Sequence, residues 1–429
     1  MEICAGHSAD NNNYNLPAPG VEAIGRGERR YIMTKLTISN SLLAAVKNAA
    51  VSMGDTFVLS VLPKEVGAGC RQASLSCCNG NAMSNIYLPV KADDDACGEY
   101  IFGKEFGQIV QTLSAYDEKD FVIKRKEDGT CTITCGSAVV PLPVRESAVK
   151  IQVKSPTDCG AVIVDVPAAE LKEAVTRAGC AFSVSVGGRY EIVRNAMNVA
   201  IEKNGEQYRL RFVTTDGVIA SGARAPITRQ SGLETLGDEG LSLSLNATVL
   251  TKIAGLIVNE TVTLFLARGQ VMLQDGYNVY TIVPNAQVFP PSVGLMLQEE
   301  LQKAYAFKVS KKRFLASLDI AILNSCSEDT GTKACITVED GTLSISSVDG
   351  SCRSKLETTE ITGAAKIGLN VSFVKKLLSH MAEDVTIYGA GPTECIFISD
   401  GMEGSRCFLA PAPISAPSAE SNSGSGKKE

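Results

Sequence analysis

The sequence has no tryptophan, only two histidines (His7 and His380), and no Cys-x-x-Cys pair among its 14 cysteines. Zinc sites need clustered His and Cys ligands at short spacing, so we expect neither a metal nor a cofactor. No apolar run approaches about 18 residues, which excludes a spanning helix, and no secretory signal pattern opens the chain. We therefore expect a cytoplasmic protein whose cysteines are reduced and buried rather than paired in disulfides.

The length and charge set further bounds. The chain has 429 residues, enough for two or three domains, and its 45% hydrophobic content is that of a globular protein. A formal net charge of −6 argues against a nucleic-acid partner, unless the positive charge is concentrated on one surface.

Both ends of the chain differ from its patterned body. Residues 1–32 are polar and aperiodic, and the stretch 27–30 (GERR) could be encoded by purines alone, just upstream of Met33. We therefore expect a disordered or mis-annotated leader, with translation starting at Met33. Residues 415–429 are rich in Ser, Gly, Pro and Ala and are expected to form a disordered tail.

Six segments of the body have the apolar spacing of amphipathic helices. They are residues 40–50, 103–114, 167–182, 246–258, 310–324 and 372–382. Pro167 suits a first helical position, and Asn246 and Ser310 suit N-cap positions. The nearly regular spacing of these segments indicates an internal repeat.

Between the helices the apolar spacing changes to every second residue, with glycine at the turns, as in 120–133, 260–273 and 383–398. Such runs are typical of antiparallel hairpins. We expect an α+β fold of three repeated domains, at 33–157, 158–295 and 303–414, each packing two helices on antiparallel sheets.

The positive charge is concentrated in the helices. The six helical segments together carry a net charge of +6, whereas the remainder of the body carries −11. Lysines on solvated helix faces are common and explain this in part. The sharper hypothesis is that the helices line one surface that faces a polyanion and holds phosphates without reading bases.

Several stretches then resemble the bacterial sliding clamp, the beta subunit of DNA polymerase III. The matches follow the family's order and spacing from Met33 to Ile414, and they lie at 165–172 (DVPAAELK), 213–217 (VTTDG), 289–290 (FP), 369–373 (LNVSF) and 409–414 (LAPAPI). Each match alone is short, and their order along the chain carries the resemblance.

The resemblance implies a head-to-tail homodimer that closes into a ring around double-stranded DNA. The helices would line the hole, and the ring would tether the polymerase catalytic subunit without any catalysis of its own. Clamp loader and polymerase would bind through short linear motifs. The basic residues on the DNA-facing helices would be Lys47, Lys104, Lys172, Arg177, Lys252, Lys311, Lys312, Arg313, Lys375 and Lys376.

The resemblance also implies a partner-peptide groove between the second and third domains. The positions that match it are Thr215, Gly217, Val218, Ile219, Ala220, Pro290, Thr393, Cys395, Phe408, Ala410, Pro411, Ala412 and Ile414. The family's His-Arg-Leu becomes 218–220 (VIA) here, its two methionines become Ala410 and Ala412, and its arginine becomes Pro413. We predict an altered partner preference, for motifs with bulkier anchors.

The expected dimer seam combines Val140 and Leu142 of the first domain with Ile322 and Leu323 of the third. Pro141 and Pro143 lie on the same edge strand, and both lack an N–H donor. If that edge faces the second subunit, two ladder bonds are missing and the ring is weakened. If it faces away, the prolines merely protect an edge, and the sequence leaves both orientations open.

Three alternatives remain at this point. A phage or mobile-element clamp that serves a dedicated polymerase would explain the altered groove. A clamp-derived scaffold that no longer encircles DNA would explain the seam prolines. An enzyme, using Thr215 with Asp216 or Cys131 with Cys135, is disfavoured because no general base accompanies either pair.

Overall fold

The computed structural model describes residues 34–67, 70–116, 120–126, 129–183, 195–235, 240–286, 289–297, 302–323 and 332–414. The predicted leader and tail lie outside these ranges. The strand pairs are antiparallel in all three sheets, which confirms the α+β assignment. Among the described residues, no helix is both long and apolar enough to cross a membrane.

The chain builds a similar order of elements three times, with one more strand between the two helices in the second and third repeats. The first repeat contains β1 (Thr34–Ser39), α1 (Ser41–Ala49), β2 (Thr56–Gly67), β3 (Cys70–Cys78), β4 (Ala82–Ala92), β5 (Gly98–Gly103), α2 (Glu105–Leu113), β6 (Asp120–Arg125), β7 (Cys131–Cys135) and β8 (Ala138–Leu142). A helix thus follows the first and the fifth strand of the repeat.

The second repeat adds one short strand to this order. It contains β9 (Val162–Pro167), α3 (Ala168–Ala178), β10 (Ala196–Asn204), β11 (Gln207–Thr215), β12 (Ile219–Pro226), β13 (Arg229–Ser231), β14 (Ser242–Asn246), α4 (Ala247–Leu256), β15 (Thr261–Ala267), β16 (Gln270–Asp275) and β17 (Asn278–Ile282). A short connector helix, α5 (Pro291–Met296), leads to the third repeat.

The third repeat again has two helices in the equivalent places. It contains β18 (Tyr305–Ser310), α6 (Lys311–Ile322), β19 (Lys333–Glu339), β20 (Thr342–Ser347), β21 (Arg353–Leu356), β22 (Glu360–Gly363), β23 (Ala365–Asn370), α7 (Val371–Leu378), β24 (Asp384–Gly389), β25 (Ile396–Ser399) and β26 (Arg406–Leu409). All six predicted helices are therefore present.

The helix starts follow from their capping residues. The side chain of Asn246 accepts the Val249 N–H, and that of Ser310 accepts the Arg313 N–H, so both N-cap predictions are confirmed. Pro167 is predicted to be the first helical residue, but the helix begins at Ala168. Pro167, whose ψ of 129° is not helical, is the N-cap. The last helix begins at Val371 rather than Ser372, because Asn370 caps it.

Two β pairings join the repeats. The four strands β5-β2-β3-β4 of the first repeat continue into the second through β4 and β17. The equivalent strands β14-β10-β11-β12 continue into the third repeat through β12 and β26. The third set, β23-β19-β20-β21, ends in β21, which pairs only with β20 among the described residues.

Two of the free strand edges, those of β8 and β21, form a matching pair. In the first repeat, β8 is the strand equivalent to β17 of the second repeat and β26 of the third. Along the described chain, β8 pairs only with β7, apart from a single bridge of Val144 to Phe102 on β5. One copy thus ends with an unfilled acceptor strand, β21, and an unpaired counterpart, β8.

Candidate functional sites

The helices form a layer on one side of the sheets. They pair within each repeat as α1 with α2, α3 with α4, and α6 with α7. Across the first joint α4 contacts residues 50–52, and across the second the Lys376 Nζ of α7 donates to the Phe182 carbonyl, 2.9 Å away. The basic residues of the six helices therefore belong to one contiguous layer.

Five of the predicted basic residues are available to an external anion. Lys47, Lys104, Lys252 and Lys312 are exposed, Lys172 is half-buried, and no other described residue forms an ion pair with them. Arg313 and Lys375 are also exposed, but they pair with Glu357 and Asp319 respectively. Lys311 and Lys376 donate to backbone carbonyls. The free positive charge is thus carried mainly by the first five.

Arg177 does not fit the predicted DNA-facing set. Its side chain is only 10% exposed, and its Nη1 pairs with the fully buried carboxylate of Asp400 at 2.5 Å, across the joint between the second and third repeats. Its Nε also pairs with Glu173 at 3.0 Å, one helical turn earlier. Because burial is costly for an unpaired charge, Arg177 serves the joint rather than a ligand.

The loop that matches the family's TDG motif is built around two side-chain caps. Thr215 donates its hydroxyl to the Ile219 carbonyl (2.7 Å), and Asp216 accepts the N–H groups of Val218 and Ile219. Gly217 has φ +90°, a conformation that favours glycine. These contacts give Thr215 and Asp216 a structural role, and the described part of the chain shows no general base beside them.

The predicted groove residues separate onto two faces of the sheet. Ile219 points to the helix side and is buried in the core of the third repeat, so it does not line a groove. Ala220 and Phe408 pair in register and point to the opposite face, where Cys395 packs beside them. Pro290 is half-buried in the connector, while Gly217 and Thr393 are exposed. The apolar floor therefore centres on Ala220 and Phe408.

The C-terminal residues of the predicted groove cross the joint as a strand-like extension. The Ala410 N–H donates to the Val218 carbonyl, and the Ala412 N–H donates to the Gly368 carbonyl, each at 2.9 Å. Pro411 lies half-buried between them. Ile414 lies against Gly368, where a Cβ would be only 2.8 Å from its Cγ1. Ile414 thus contacts the third repeat rather than the apolar floor.

Sequence reasoning missed an aromatic row on this floor. Tyr388 stacks on Phe397 with ring centroids 5.7 Å apart, and Phe397 contacts Phe408 at 5.8 Å. The Lys303 Nζ lies 4.7 Å from the Tyr388 ring centroid. Burial raises the pKa of Tyr388, so its hydroxyl stays protonated. The alternation of Cys395, just before β25, with Phe397 on β25 is the signal that could have revealed the row.

The connector covers part of the same floor. Phe289 and Leu297 belong to the apolar cluster formed by Ala220, Tyr388, Phe397 and Phe408. Leu297 approaches Gly222 so closely that a Cβ there would lie 2.8 Å from its Cδ1. The groove floor is therefore partly covered by large apolar side chains of its own chain.

Most of the predicted seam residues belong to their own cores. Leu142 is 4% exposed and lies in the first repeat's core, and Val140 packs against it. Ile322 packs on the core of the third repeat. Leu323 is 74% exposed at the end of α6, and Val139 is 64% exposed on the outer side of β8. The most exposed apolar residues near the expected seam are thus Val139 and Leu323, followed by Val144 and Ile320.

The three repeats establish which way the seam prolines point. After the last strand of each repeat, Arg145, Asn285 and Ala412 donate equivalent N–H bonds to Ile101, Ser244 and Gly368. Two residues earlier, Val283 donates to Asn81 at 2.8 Å and Ala410 donates to Val218 at 2.9 Å, both across a joint between repeats. The first repeat has Pro143 at this position and therefore no donor.

Pro141 faces the same edge. The two-residue turn between Cys135 and Ala138 makes these two residues a hydrogen-bonded pair, so Pro141, opposite Thr132, directs its backbone nitrogen away from β7. That direction corresponds to the joint edge of β17 and β26. Both prolines therefore remove donors from the edge of β8 that is free in one copy.

Comparison with solved structures gives the fold. The chain matches a Caulobacter crescentus beta sliding clamp with a TM-score of 0.73 and 18% identity, covering 89% of this chain and 100% of the other. It matches the DNA polymerase III beta chain of Streptococcus pneumoniae with a TM-score of 0.73 and 16% identity over the same shares. The chain has the sliding-clamp fold.

A third clamp shows how far the sequences have diverged. The DNA polymerase III beta subunit of Thermotoga maritima is 14% identical, with a TM-score of 0.71, and is covered completely by 89% of this chain. No family model and no curated protein matches the sequence. The predicted resemblance to sliding clamps is thus confirmed in three dimensions at low sequence identity.

Proposed function

We propose that this chain is a DNA sliding clamp, acting in the cytoplasm, two copies of which close head to tail around double-stranded DNA. The observation that carries the proposal is the pair of complementary free edges, β21 and β8. Because β4 with β17 and β12 with β26 make two such joints within the chain, a third joint between β21 and the β8 of a second copy continues the same arrangement. Two copies then contribute six repeats and close the ring.

The helix layer supports a polyanion inside that ring. Lys47, Lys104, Lys172, Lys252 and Lys312 place positive charge on the helix side of all three repeats, while the remainder of the body is negative. Such charge holds phosphates without reading bases, as a sliding ring requires. The clamp would tether a polymerase by keeping it at high effective concentration near its template.

The seam of the proposed ring is weaker than the two joints within the chain. Pro141 and Pro143 remove two donors from each seam. The residue equivalent to the acceptors Asn81 and Val218 is Cys352, whose carbonyl already accepts the Ser347 N–H. We propose that apolar contacts of Val139 and Leu323 replace part of the missing ladder. Light scattering of the full chain across a dilution series tests this, and we expect a dimer that dissociates at measurable concentration.

The floor around Ala220 and Phe408 is the proposed site for polymerase and loader motifs. The aromatic row and the connector reduce its depth, and Ala410 and Ala412 lack the reach of methionine. We propose a preference for motifs whose anchors stack on Phe408 and Phe397, as expected of a clamp that serves a dedicated polymerase, including one of a phage or mobile element. Fluorescence titration with a typical clamp-binding peptide would contradict this by showing ordinary affinity.

A further inference from the structure

The sheet face that forms the groove floor also carries two neighbouring arginines. Side chains alternate along a strand, so Ala220, Gly222 and Arg224 of β12 all point to the face turned away from the helices. Strand register places Arg211 of β11 directly opposite Arg224. The groove floor at Ala220 and the two arginines therefore share one face, about 13 Å apart along β12.

Glu202 of β10 pairs with both arginines. Its Oε1 lies 2.9 Å from the Arg211 Nη1, and its Oε2 lies 2.7 Å from the Arg224 Nε. We call Glu202, Arg211 and Arg224 the arginine cluster. Because one carboxylate serves two guanidinium groups, the three side chains keep a net positive charge. The cluster thus differs from the rest of the body outside the helices, which is negative.

The two arginines differ in what they offer to a ligand. The connector covers Arg211, because a Cβ at Gly294 of α5 would lie 2.9 Å from its Nη1. The Arg211 Nη2 also donates to the Asn198 Oδ1 at 3.3 Å. Arg224 donates only through its Nε, and neither of its Nη groups contacts an acceptor among the described residues. The outer N–H groups of Arg224 therefore remain for an external acceptor.

The Arg224 guanidinium is held in place before any ligand arrives. Glu202 fixes its Nε, and the loop before β26 packs against its stem, since a Cβ at Gly404 would lie 3.0 Å from the Arg224 Cδ. The side chain is still 23% exposed. A planar guanidinium can bind a carboxylate through two parallel hydrogen bonds, and an ordered side chain loses less conformational entropy on binding.

We propose that the arginine cluster binds an acidic residue of a partner peptide whose apolar anchor lies on the groove floor, with Arg224 as the specificity-determining residue. The separation of Ala220 and Arg224 along β12 matches about four residues of an extended peptide. The partner motif would therefore carry an aspartate or glutamate at that distance from its anchor. This inference rests on the proposed function, because it names the partner chemistry of the same groove.

The position of the cluster favours a peptide over DNA. The cluster lies on the face opposite to the helix layer, outside the proposed ring. One half-buried guanidinium beside an apolar floor suits a single carboxylate next to an apolar anchor. A duplex instead needs several exposed cations along its phosphate backbone, as the helix layer provides.

The test is fluorescence anisotropy of the full-length protein with labelled peptide probes. Two acidic probes carry a Leu-Phe anchor with Glu-Glu about four residues before or after it. Each has a matched probe with Gln-Gln instead. We expect one acidic probe to bind wild type about tenfold tighter than its glutamine match, because hydrogen bonds between charged groups are strong. This preference should vanish in Arg224→Gln and persist in the control Arg229→Gln, which changes an exposed arginine on β13.

Arg224→Gln should fold, because Glu202 keeps its pair with Arg211, and circular dichroism checks this. Arg224→Lys is the second variant, which keeps the charge without the planar fork and should retain only part of the preference.

The proposal is overturned if wild type binds the acidic and glutamine probes equally, or if the preference persists in Arg224→Gln. Both results leave the groove standing, since the glutamine probes still bind to its floor. A protein that binds no probe would contradict the groove and the cluster together. Weaker binding of a labelled DNA duplex by Arg224→Gln, with unchanged probe binding, would assign the cluster to nucleic acid and overturn the peptide proposal.

Discussion

Arg177 and Asp400 form an ion pair between α3 of the second repeat and the loop after β25 of the third, and the Asp400 carboxylate is fully buried. The carboxylate also accepts the N–H groups of Ala382 and Met402. A basic residue of the helix layer thus stabilises the joint that carries the groove floor. This role in the joint explains why Arg177 does not belong to the DNA-facing cations.

We expect Asp400→Asn to destabilise the protein by about 3 kcal/mol, because it leaves the Arg177 guanidinium buried without its charged partner across the joint. Chemical denaturation monitored by circular dichroism measures the change. The matched control is Glu357→Gln, which breaks the exposed pair with Arg313 and should cost less than about 1 kcal/mol. Equal losses of stability in the two variants would contradict the structural role of Asp400.

The same pair predicts a pH dependence. Burial alone would raise the pKa of Asp400, but the hydrogen bond and charge of Arg177, with two backbone N–H groups, lower it below the usual value. A lowered carboxyl pKa stabilises the fold fully above the unfolded-state pKa of about 4, and this stabilisation is lost as the pH falls through the folded-state pKa. The free energy of unfolding, measured from pH 6 to pH 2, should therefore fall less steeply in Asp400→Asn than in wild type.

Charge reversal of the available helix lysines should weaken DNA binding. Lys47→Glu, Lys104→Glu, Lys252→Glu and Lys312→Glu together remove cations that no described residue neutralises. The logarithmic salt slope should fall by about 0.9 for each phosphate that the variant no longer neutralises. Fluorescence anisotropy with a labelled duplex measures both effects.

The matched control reverses Lys308 and Lys366, which lie on sheet faces turned away from the helices. It should leave the affinity and the salt slope near wild type. If the control variant weakens DNA binding as strongly as the helix variant, DNA does not bind preferentially to the helix layer.

Replacing the seam prolines should strengthen the dimer. Pro141→Val with Pro143→Val restores two N–H donors to each seam, four in a closed ring, and each hydrogen bond contributes about 1 kcal/mol. The dissociation constant should fall at least about tenfold, as measured by light scattering on dilution. Pro392→Val, in an exposed turn, is the control and should change nothing. An unchanged constant in the double variant would place β8 outside the seam.

Restoring methionine to the groove should restore affinity for typical clamp-binding peptides. Ala410→Met with Ala412→Met adds adaptable apolar area beside Phe408, and we expect binding about tenfold tighter in a fluorescence titration. Ala44→Met, on the exposed face of α1, is the size-matched control. If the double variant binds no better, the aromatic row rather than the missing methionines limits the groove.

The sequence predicts the helices better than the sites. Apolar spacing and capping residues such as Asn246 and Ser310 act locally, so six helices and the three repeats could be predicted from them. The role of Arg177 could not be predicted, because its partner Asp400 lies 223 positions away in the sequence. The burial of Arg177 also depends on a joint between repeats. The predicted roles of Ile219 in the groove and Leu142 in the seam are wrong for a related reason, because strand register decides which face of the sheet each side chain occupies.

The orientation of Pro141 and Pro143 required the structure as well. Sequence alternation places both prolines on one edge but does not identify the neighbour of that edge. The equivalent bonds of Val283 and Ala410 show that this edge corresponds to the joint edges of the other two repeats, which is the basis for proposing a second copy as its neighbour. The aromatic row was missed because Tyr388, Phe397 and Phe408 come from three strands that meet only in the folded sheet.

Electron microscopy of the purified full-length protein at micromolar concentration tests the central claim most directly. The proposed pairing of β21 with the β8 of a second copy predicts closed rings of six similar repeats around a central hole wide enough for a DNA duplex. Open crescents of three repeats, persisting at concentrations of tens of micromolar, would contradict a ring that closes on its own.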